Sequence, residues 1–565
     1  MPFVVVSLQT LERRPLSVRL LQHPLSQHAS AAIVSSGWMR DSSSAPDAQR
    51  QEVPETVTNT AEKASRTASE PVPAAIKLPL VVEGVVFLCG AVVMILELVG
   101  SRLLAPYFGN SIFVWTSLIG VMLGFMALGN FLGGRLGDRY LSGGVLFWIL
   151  VGASVSISII AFAEGTVIPL LAKGPAVRTE AVGSAIVLFG LPSAILGMVS
   201  PYCIRLRMHA VSDSGATVGS LYALSTLGSI VGTFAAGFWL IAVIGSHAII
   251  MWIAGVPMLL SSFFIAPVDA KRAAALLVGA VTLAAAALFS HSSIDTFDTQ
   301  YERYMMLRGT DTRTMRPVVG LSPTIDGGSE SIIYADTGEP VMVPYFAYYD
   351  AAFKLVPDVR RTLLIGGGAF GYPRHQLADY PASRTDVVEI DPKLVDVSRS
   401  SFFLKDDPRL RIILEDGRTY LDRADGPYDV VMLDAFKSKG SVPYQLTTRE
   451  SMRHCYDLLD GHGILAMNLL TSIRGTDSKF LTAEVATVKT VFPRVEVYAV
   501  QDPGSAGERQ NLSIIASKDP ALDLRSAIER VAPDLASHRL DFEIPPETRI
   551  LTDDYAPVDQ YLVGL

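Results

Sequence analysis

The chain has 565 residues, of which 50% are hydrophobic and 18% charged, with a formal net charge of -8. That length exceeds one ordinary domain, and the apolar balance excludes a wholly soluble protein of average composition in favour of membrane spans. The negative charge gives no reason to expect a nucleic-acid partner. The scattered Cys89, Cys203 and Cys455 form no metal or disulfide pattern, so no metal is expected.

Residues 1–76 read as a disordered extension. The first forty carry Arg13, Arg14, Arg19 and Arg40 against one acid, Glu12, and the rest is rich in Ser, Thr, Ala, Pro and Glu. Such a segment cannot bury enough apolar surface to fold. An Arg- and Ser-rich start also suits an organellar transit peptide, and a start placed too early is a third reading.

Residues 77–290 read as a multi-pass α-helical membrane domain, with the lipid bilayer as its partner. Apolar runs recur at 78–99, 112–134, 145–163, 181–202, 219–243, 246–266 and 273–290. Most are long enough to cross about 30 Å of hydrocarbon as a helix; the last, Ala-rich, is the weakest. The pairs Gly120 and Gly124, Gly129 and Gly133, and Gly228 and Gly232 stand four apart, which lets helices pack closely. Glu83 and Glu97 share one helix face in the first run. Either they attract a cationic substrate within the membrane, or they sit at the interfaces and pair with Arg102.

Residues 291–357 form a connecting segment, with a small β-hairpin over 330–343 tipped by Asp336-Thr337-Gly338. From 358 to 565 strands and helices alternate. Strands are expected at 362–366, 386–390, 411–414, 429–434, 463–469, 494–499 and 511–516, with helices at 371–380, 393–403, 447–459 and 479–491. That order predicts a doubly wound, mostly parallel α/β sheet of the Rossmann type.

Four motifs fall at strand ends. Thr362-Leu-Leu-Ile-Gly-Gly-Gly-Ala-Phe-Gly371 runs a strand into Gly366, Gly367 and Gly368, where a ligand can approach the backbone. About twenty residues on, Glu389 ends the next strand, where an acid accepts from ribose hydroxyls. Asp391 serves there too, or caps the helix that begins at Pro392. Asp416 and Gly417 follow the third strand, placed to receive an adenine amino group. Asp434 ends the fourth strand, at the carboxyl edge where ligands of such folds bind.

With these residues in view, the run from Phe346 to Ser517 resembles the polyamine aminopropyltransferases, the spermidine synthases, and in particular their membrane-fused branch. The resemblance rests on Ile365-Gly-Gly-Gly368, Val388-Glu-Ile-Asp-Pro392, Asp407-Pro-Arg409, Glu415-Asp-Gly417, Tyr428-Asp-Val-Val-Met-Leu-Asp434 and Phe346-Ala-Tyr348. Arg102-Leu-Leu-Ala-Pro-Tyr-Phe-Gly-Asn110 and the C-terminal Leu551-Thr-Asp-Asp-Tyr-Ala-Pro557 are similar to the fused proteins. Gly133-Gly-Arg-Leu-Gly-Asp-Arg139 is similar both to them and to a cytoplasmic loop of major facilitator transporters. The resemblance implies a class I methyltransferase-type fold and a co-substrate, S-adenosylmethionine or decarboxylated S-adenosylmethionine.

Two departures bear on the acceptor. The family carries aspartates where this chain has Ala369 and Lys437, and the second of those aspartates deprotonates the attacking amine. A lysine repels a diammonium substrate where an acid attracts it, by about 4 kcal/mol at 4 Å and an effective dielectric of 20. Asp350, Asp434 or a membrane-side acid is then left to take over. Lys437 acts as a base only with a strongly lowered pKa, binds an anionic group, or is a solvated loop lysine.

The resulting expectation is a membrane-bound spermidine synthase-like transferase with Asp434 and Lys437 as catalytic candidates and a small-molecule acceptor, an amine. A methyltransferase, or a transporter or sensor with a non-catalytic nucleoside domain, is the alternative. A homo-oligomer is compatible with the sequence. Arg135, Arg139, Arg205, Arg207, Lys271 and Arg272 place their loops in the cytoplasm, and seven crossings would then leave the C-terminal domain outside. A nucleoside co-substrate is supplied inside, and on that ground an inner-membrane protein with a cytoplasmic C-terminal domain is expected.

Overall fold

The structure is a computed structural model. It describes residues 6–7, 79–109, 111–172, 177–208, 214–264, 295–323, 331–436, 442–475, 478–541 and 543–562, with isolated positions between 270 and 284. Apart from Val6 and Ser7, the 1–76 extension lies outside the described residues, and so do Lys271, Arg272, Lys437 and most of the run at 273–290.

Among the described residues, six helices are long and apolar enough to cross a membrane: α1 (Leu80–Phe108), α2 (Ile112–Arg139), α3 (Gly143–Leu171), α4 (Arg178–Arg207), α5 (Gly215–Leu240) and α6 (Ser246–Phe264). Small residues decide their pairing. A Cβ on Gly129 would stand 2.0 Å from the Ala194 carbonyl oxygen, and one on Gly228 would stand 1.9 Å from that of Phe87. Backbones of α2 and α4, and of α1 and α5, therefore touch at these points. Gly120 and Gly124 differ: nothing lies within 4 Å of where their Cβ atoms would be.

One end of the bundle collects charge. Arg205 pairs with Asp138 at 2.9 Å and Arg207 with Glu83 at 3.3 Å, while the Tyr202 hydroxyl donates to the Tyr140 carbonyl at 2.7 Å. Glu83 is thus paired across helices and not with Arg102. The opposite end meets the rest of the chain. The Ile112 N–H, at the start of α2, donates to Asp559 at 3.4 Å, and Ser246 N–H, at the start of α6, donates to Asp298 at 2.8 Å.

A small antiparallel sheet follows, formed by β1 (Val6–Ser7), β2 (Asp295–Asp298), β3 (Arg303–Asp311), β4 (Pro317–Ser322) and β5 (Ser331–Tyr334). The hairpin expected at 330–343 is present only in part. β5 pairs mainly with β4, and its return arm is reduced to the bridge between Ile333 and Pro340. Arg316 holds the tip through Asp336 at 2.7 Å.

The last and largest unit is a seven-stranded sheet in the order β11-β12-β10-β9-β6-β7-β8. Its strands are β6 (Arg361–Ile365), β7 (Arg384–Glu389), β8 (Leu410–Leu414), β9 (Tyr428–Leu433), β10 (Leu459–Thr471), β11 (Arg494–Ala499) and β12 (Gln510–Ser517). β6 through β10 run parallel, and β12 turns antiparallel to β10 and β11. Helices on both faces bury the central strands, which is why β6 and β9 read as near-continuous apolar runs rather than alternating ones. The fold is the Rossmann-like, methyltransferase-type sheet expected from the alternation, behind six long apolar helices.

Candidate active site

The carboxyl ends of β6, β7, β8 and β9 open into a cavity of about 400 Å³. β6 runs into the glycine loop, and α7 (Gly371–Asp379) follows. Gly366 has φ +96°, and a Cβ there would meet the Asp434 carbonyl oxygen at 2.4 Å, so only glycine lets the loop cross so near β9. A Cβ on Gly417 would meet Ile365 at 2.5 Å. These bare backbones make a cradle at the cavity wall, of the kind a nucleoside needs.

Glu389 ends β7, nearly buried. Its Oε2 accepts from Gly367 N–H at 2.9 Å and its Oε1 from Asp391 N–H at 2.9 Å. It thus shapes the glycine loop and still presents lone pairs to the cavity it lines. Asp391 caps the helix α8 (Pro392–Ser401), with Oδ1 accepting from Lys393 N–H at 3.1 Å; its buried Oδ2 has no hydrogen-bond partner among the described residues. Asp416 likewise caps α9 (Gly417–Arg423), with Oδ1 accepting from Thr419 N–H at 2.9 Å. Both acids are caps and both line the cavity, so each has a second oxygen left for a ligand.

Asp434 follows β9. One face opens on the cavity, and protein closes the others. That burial pushes its pKa up to about 6, against the pull of Asn468, Tyr345 and Tyr349 toward the ionised form. Asn468 Nδ2 donates to Asp434 Oδ1 at 2.9 Å, and Asn511 Nδ2 donates to Asn468 Oδ1 at 2.9 Å. The buried Tyr349 hydroxyl lies beside Asp434 and favours its ionised form. Asn468 and Asn511 were not singled out from the sequence. Their signal is an amide in an otherwise apolar strand, which carries meaning only once β10 lies beside β9 and β12 beside β10.

Two expectations about the acceptor side change, and a third falls outside the described residues. Asp350 does not line the cavity: His375 Nε2 is 3.0 Å from its Oδ2, and the Tyr372 hydroxyl donates to its Oδ1 at 3.2 Å. Ala369 is fully buried in a cluster with Tyr304, Leu321, Ile333, Leu394 and Phe402, so its Cβ faces apolar packing and not the cavity. The second catalytic candidate, Lys437, lies outside the described residues.

The segment Leu551–Pro557 packs behind Asp416 rather than over the cavity. Asp553 takes two bonds from Arg418, at 2.9 and 2.8 Å, and one from the Thr448 hydroxyl at 2.7 Å. Five carboxylates line the cavity (Glu302, Glu389, Asp391, Asp416 and Asp434), and no Lys or Arg does among the described residues.

Residues 350–526 match the Spermine/spermidine synthase domain family. A polyamine aminopropyltransferase from Vibrio vulnificus is 29% identical over 233 residues, covering 39% of this chain and 75% of that protein. A probable polyamine aminopropyl transferase from Bifidobacterium longum is 28% identical over 282 residues, 45% of this chain, which spans only 59% of that relative. The crystal structure of a probable spermidine synthase from Corynebacterium glutamicum aligns over 47% of this chain and 98% of its own, at 22% identity and a TM-score of 0.39. The C-terminal part of this chain therefore carries a spermine/spermidine synthase domain, set behind six helices long and apolar enough to cross a membrane.

Proposed function

We propose that this is a bilayer-embedded, spermidine synthase-like transferase. It takes a sulfonium nucleoside and passes the three-carbon chain on sulfur to a small amine: an aminopropyl group from decarboxylated S-adenosylmethionine, or the same chain still bearing its carboxylate from S-adenosylmethionine. The observation that carries this reading is that the charged residues lining the cavity, among the described residues, are all carboxylates. Sulfonium and ammonium groups are both cations, and carboxylates in a site poor in water favour them strongly.

In this reading Glu389 holds the ribose, Asp416 receives the adenine amino group through its second oxygen, and Gly366, Gly367, Gly368 and Gly417 give the nucleoside room. Asp391 offers its unpartnered Oδ2. The bound nucleoside supplies an electrophilic carbon beside a positively charged sulfur. Asp434 orients the amine and takes its proton as the new carbon–nitrogen bond forms. The carbon–sulfur bond breaks with its electron pair going to sulfur, which leaves a neutral thioether. A carboxylate with a pKa of about 6 is mostly ionised at neutral pH and still basic enough to accept that proton. Lys437, three residues after Asp434 in the sequence, carries the charge that disfavours a bare diammonium where an aspartate would favour one.

The six helices cross the bilayer in this reading, and supply of the nucleoside puts the C-terminal domain on the cytoplasmic side; the Arg205 and Arg207 end of the bundle, opposite that domain, then faces away from the cytoplasm, against the loop-charge expectation. Product analysis with the full-length protein, both nucleosides and a panel of amines tests the reading. Methylthioadenosine supports it, S-adenosylhomocysteine replaces it with methyl transfer, and neither product points to transport or sensing.

A further inference from the structure

The cavity is not built from the sheet alone. Ala105 and Gly109, at the end of α1, line it together with Tyr301 and Glu302. One helical turn before Ala105 stands Arg102, on the same side of α1. Its Nη2 donates to the Gln300 carbonyl, and the carboxylates of Glu302, Asp298 and Asp391 surround the guanidinium. Its Nη1 is buried without a hydrogen-bond partner.

Gln300 belongs to a tight turn. Thr299 Oγ1 accepts from Tyr301 N–H at 3.1 Å and from Glu302 N–H at 2.9 Å, and Thr299 N–H donates to the Glu302 carbonyl at 2.8 Å. Such a turn moves as one piece. Lys393 Nζ holds its near side, donating to the Asp298 carbonyl at 2.6 Å, and Arg102 holds the middle. The turn carries Tyr301 to a place where its phenol feels Asp391, Asp416 and Glu389, the acids that face the nucleoside position.

We propose that Arg102, on a helix read as a bilayer span, is a positioning residue of the nucleoside site: it fixes the 299–302 turn so that Tyr301 and the end of α1 close over the bound nucleoside. This rests on the nucleoside reading of the cavity. It means that the helical bundle is part of the binding site and not only an anchor. An arginine suits the task because its fork can hold a carbonyl while its charge is balanced by acids on two other elements.

The test is calorimetric titration of full-length protein in detergent with methylthioadenosine. Arg102→Gln should raise Kd about tenfold, the equivalent of one lost polar contact, with the ligand-free unfolding temperature unchanged. Arg102→Lys should recover most of the affinity. In a Tyr301→Ala background, Arg102→Gln should change Kd less than about twofold, because the contact it positions is already gone. An unchanged Kd for Arg102→Gln, or the same loss in both backgrounds, overturns the proposal. If Arg102→Gln does not fold, Ala105→Leu places extra bulk at the roof of the cavity; unaltered affinity there overturns it equally. Glu389→Gln separates the two readings. If it loses binding and Arg102→Gln does not, only the positioning role falls. If the wild type binds no nucleoside, the reading of the cavity falls with it.

Discussion

The side-chain amide of Asn468 donates to Asp434 Oδ1 at 2.9 Å, and Asn511 holds Asn468 in place by donating to its carbonyl oxygen at 2.9 Å. The chain of amides fixes a carboxylate that burial has raised from 3.8 to about 6. The acid limb of kcat/KM should therefore fall near pH 6, with activity lost below it. Asn468→Leu removes a donor that favours the ionised form, so the limb should move above 6. Asp434→Asn should abolish the limb and lower kcat by about a hundredfold or more. The pH–rate profiles of the three proteins check this, and an unmoved limb in Asn468→Leu counts against Asp434 as the titrating group.

The same shift has a stability consequence. Between about pH 4 and 6 the folded protein keeps a proton on Asp434 that the unfolded chain has released. The contribution is complete below the ordinary carboxyl range and is lost as pH rises through about 6. Asp434→Asn cannot titrate, so the difference in unfolding temperature between Asp434→Asn and wild type should grow in the variant's favour from pH 4 to 7. A constant difference across that range would be the contrary result.

Glu389 joins two backbone N–H groups, those of Gly367 and Asp391, and lines the cavity. Glu389→Ala leaves both donors buried and removes the ribose acceptor. Nucleoside affinity should drop by about 1–3 kcal/mol, and titration calorimetry reads that number directly. Affinity within twofold of wild type would remove Glu389 from the site.

Restoring the family's two aspartates should not act as a pair. Ala369 packs among Tyr304, Leu321 and Phe402, so Ala369→Asp buries a carboxylate with apolar neighbours. It should destabilise the protein by about 3 kcal/mol or more, seen as a lowered unfolding temperature. Lys437→Asp replaces repulsion by attraction three residues from Asp434. It should lower KM for putrescine, for which weak or no wild-type turnover is expected. Wild-type turnover of putrescine at about 1 s⁻¹ or faster would show that neither aspartate is needed.

Helix packing gives a contrast within one motif type. Gly129→Leu and Gly228→Leu drive a side chain into the backbones of Ala194 and Phe87, whereas Gly120→Leu meets open space. The first two should lose the monodisperse peak in detergent size-exclusion chromatography, and the third should keep it. Equal behaviour of all three would mean that the α1–α5 and α2–α4 contacts do not hold the bundle together.

Much of this protein was legible along the chain because the signals are local. A run of twenty apolar residues has the length of a span wherever it sits, and β6, its glycines and α7 are contiguous, so Gly366, Gly367 and Gly368 could be placed by reading through them. Glu389, Asp416 and Asp434 each end a strand, and parallel strands bring such ends to one edge. The cap role of Asp391 followed from its position before Pro392, whereas that of Asp416 came only with α9, a helix not expected from the sequence. What tertiary structure decided are contacts between distant parts of the chain. Ile112 meets Asp559, Arg102 meets the turn at Gln300, and Asn511 reaches Asp434 through Asn468. The same holds for side-chain direction. Asp350 turns to His375 and Ala369 turns into packing, although both stand within a few residues of cavity-lining positions. Local periodicity specifies which element a residue belongs to, but only the packing of elements specifies what that residue faces.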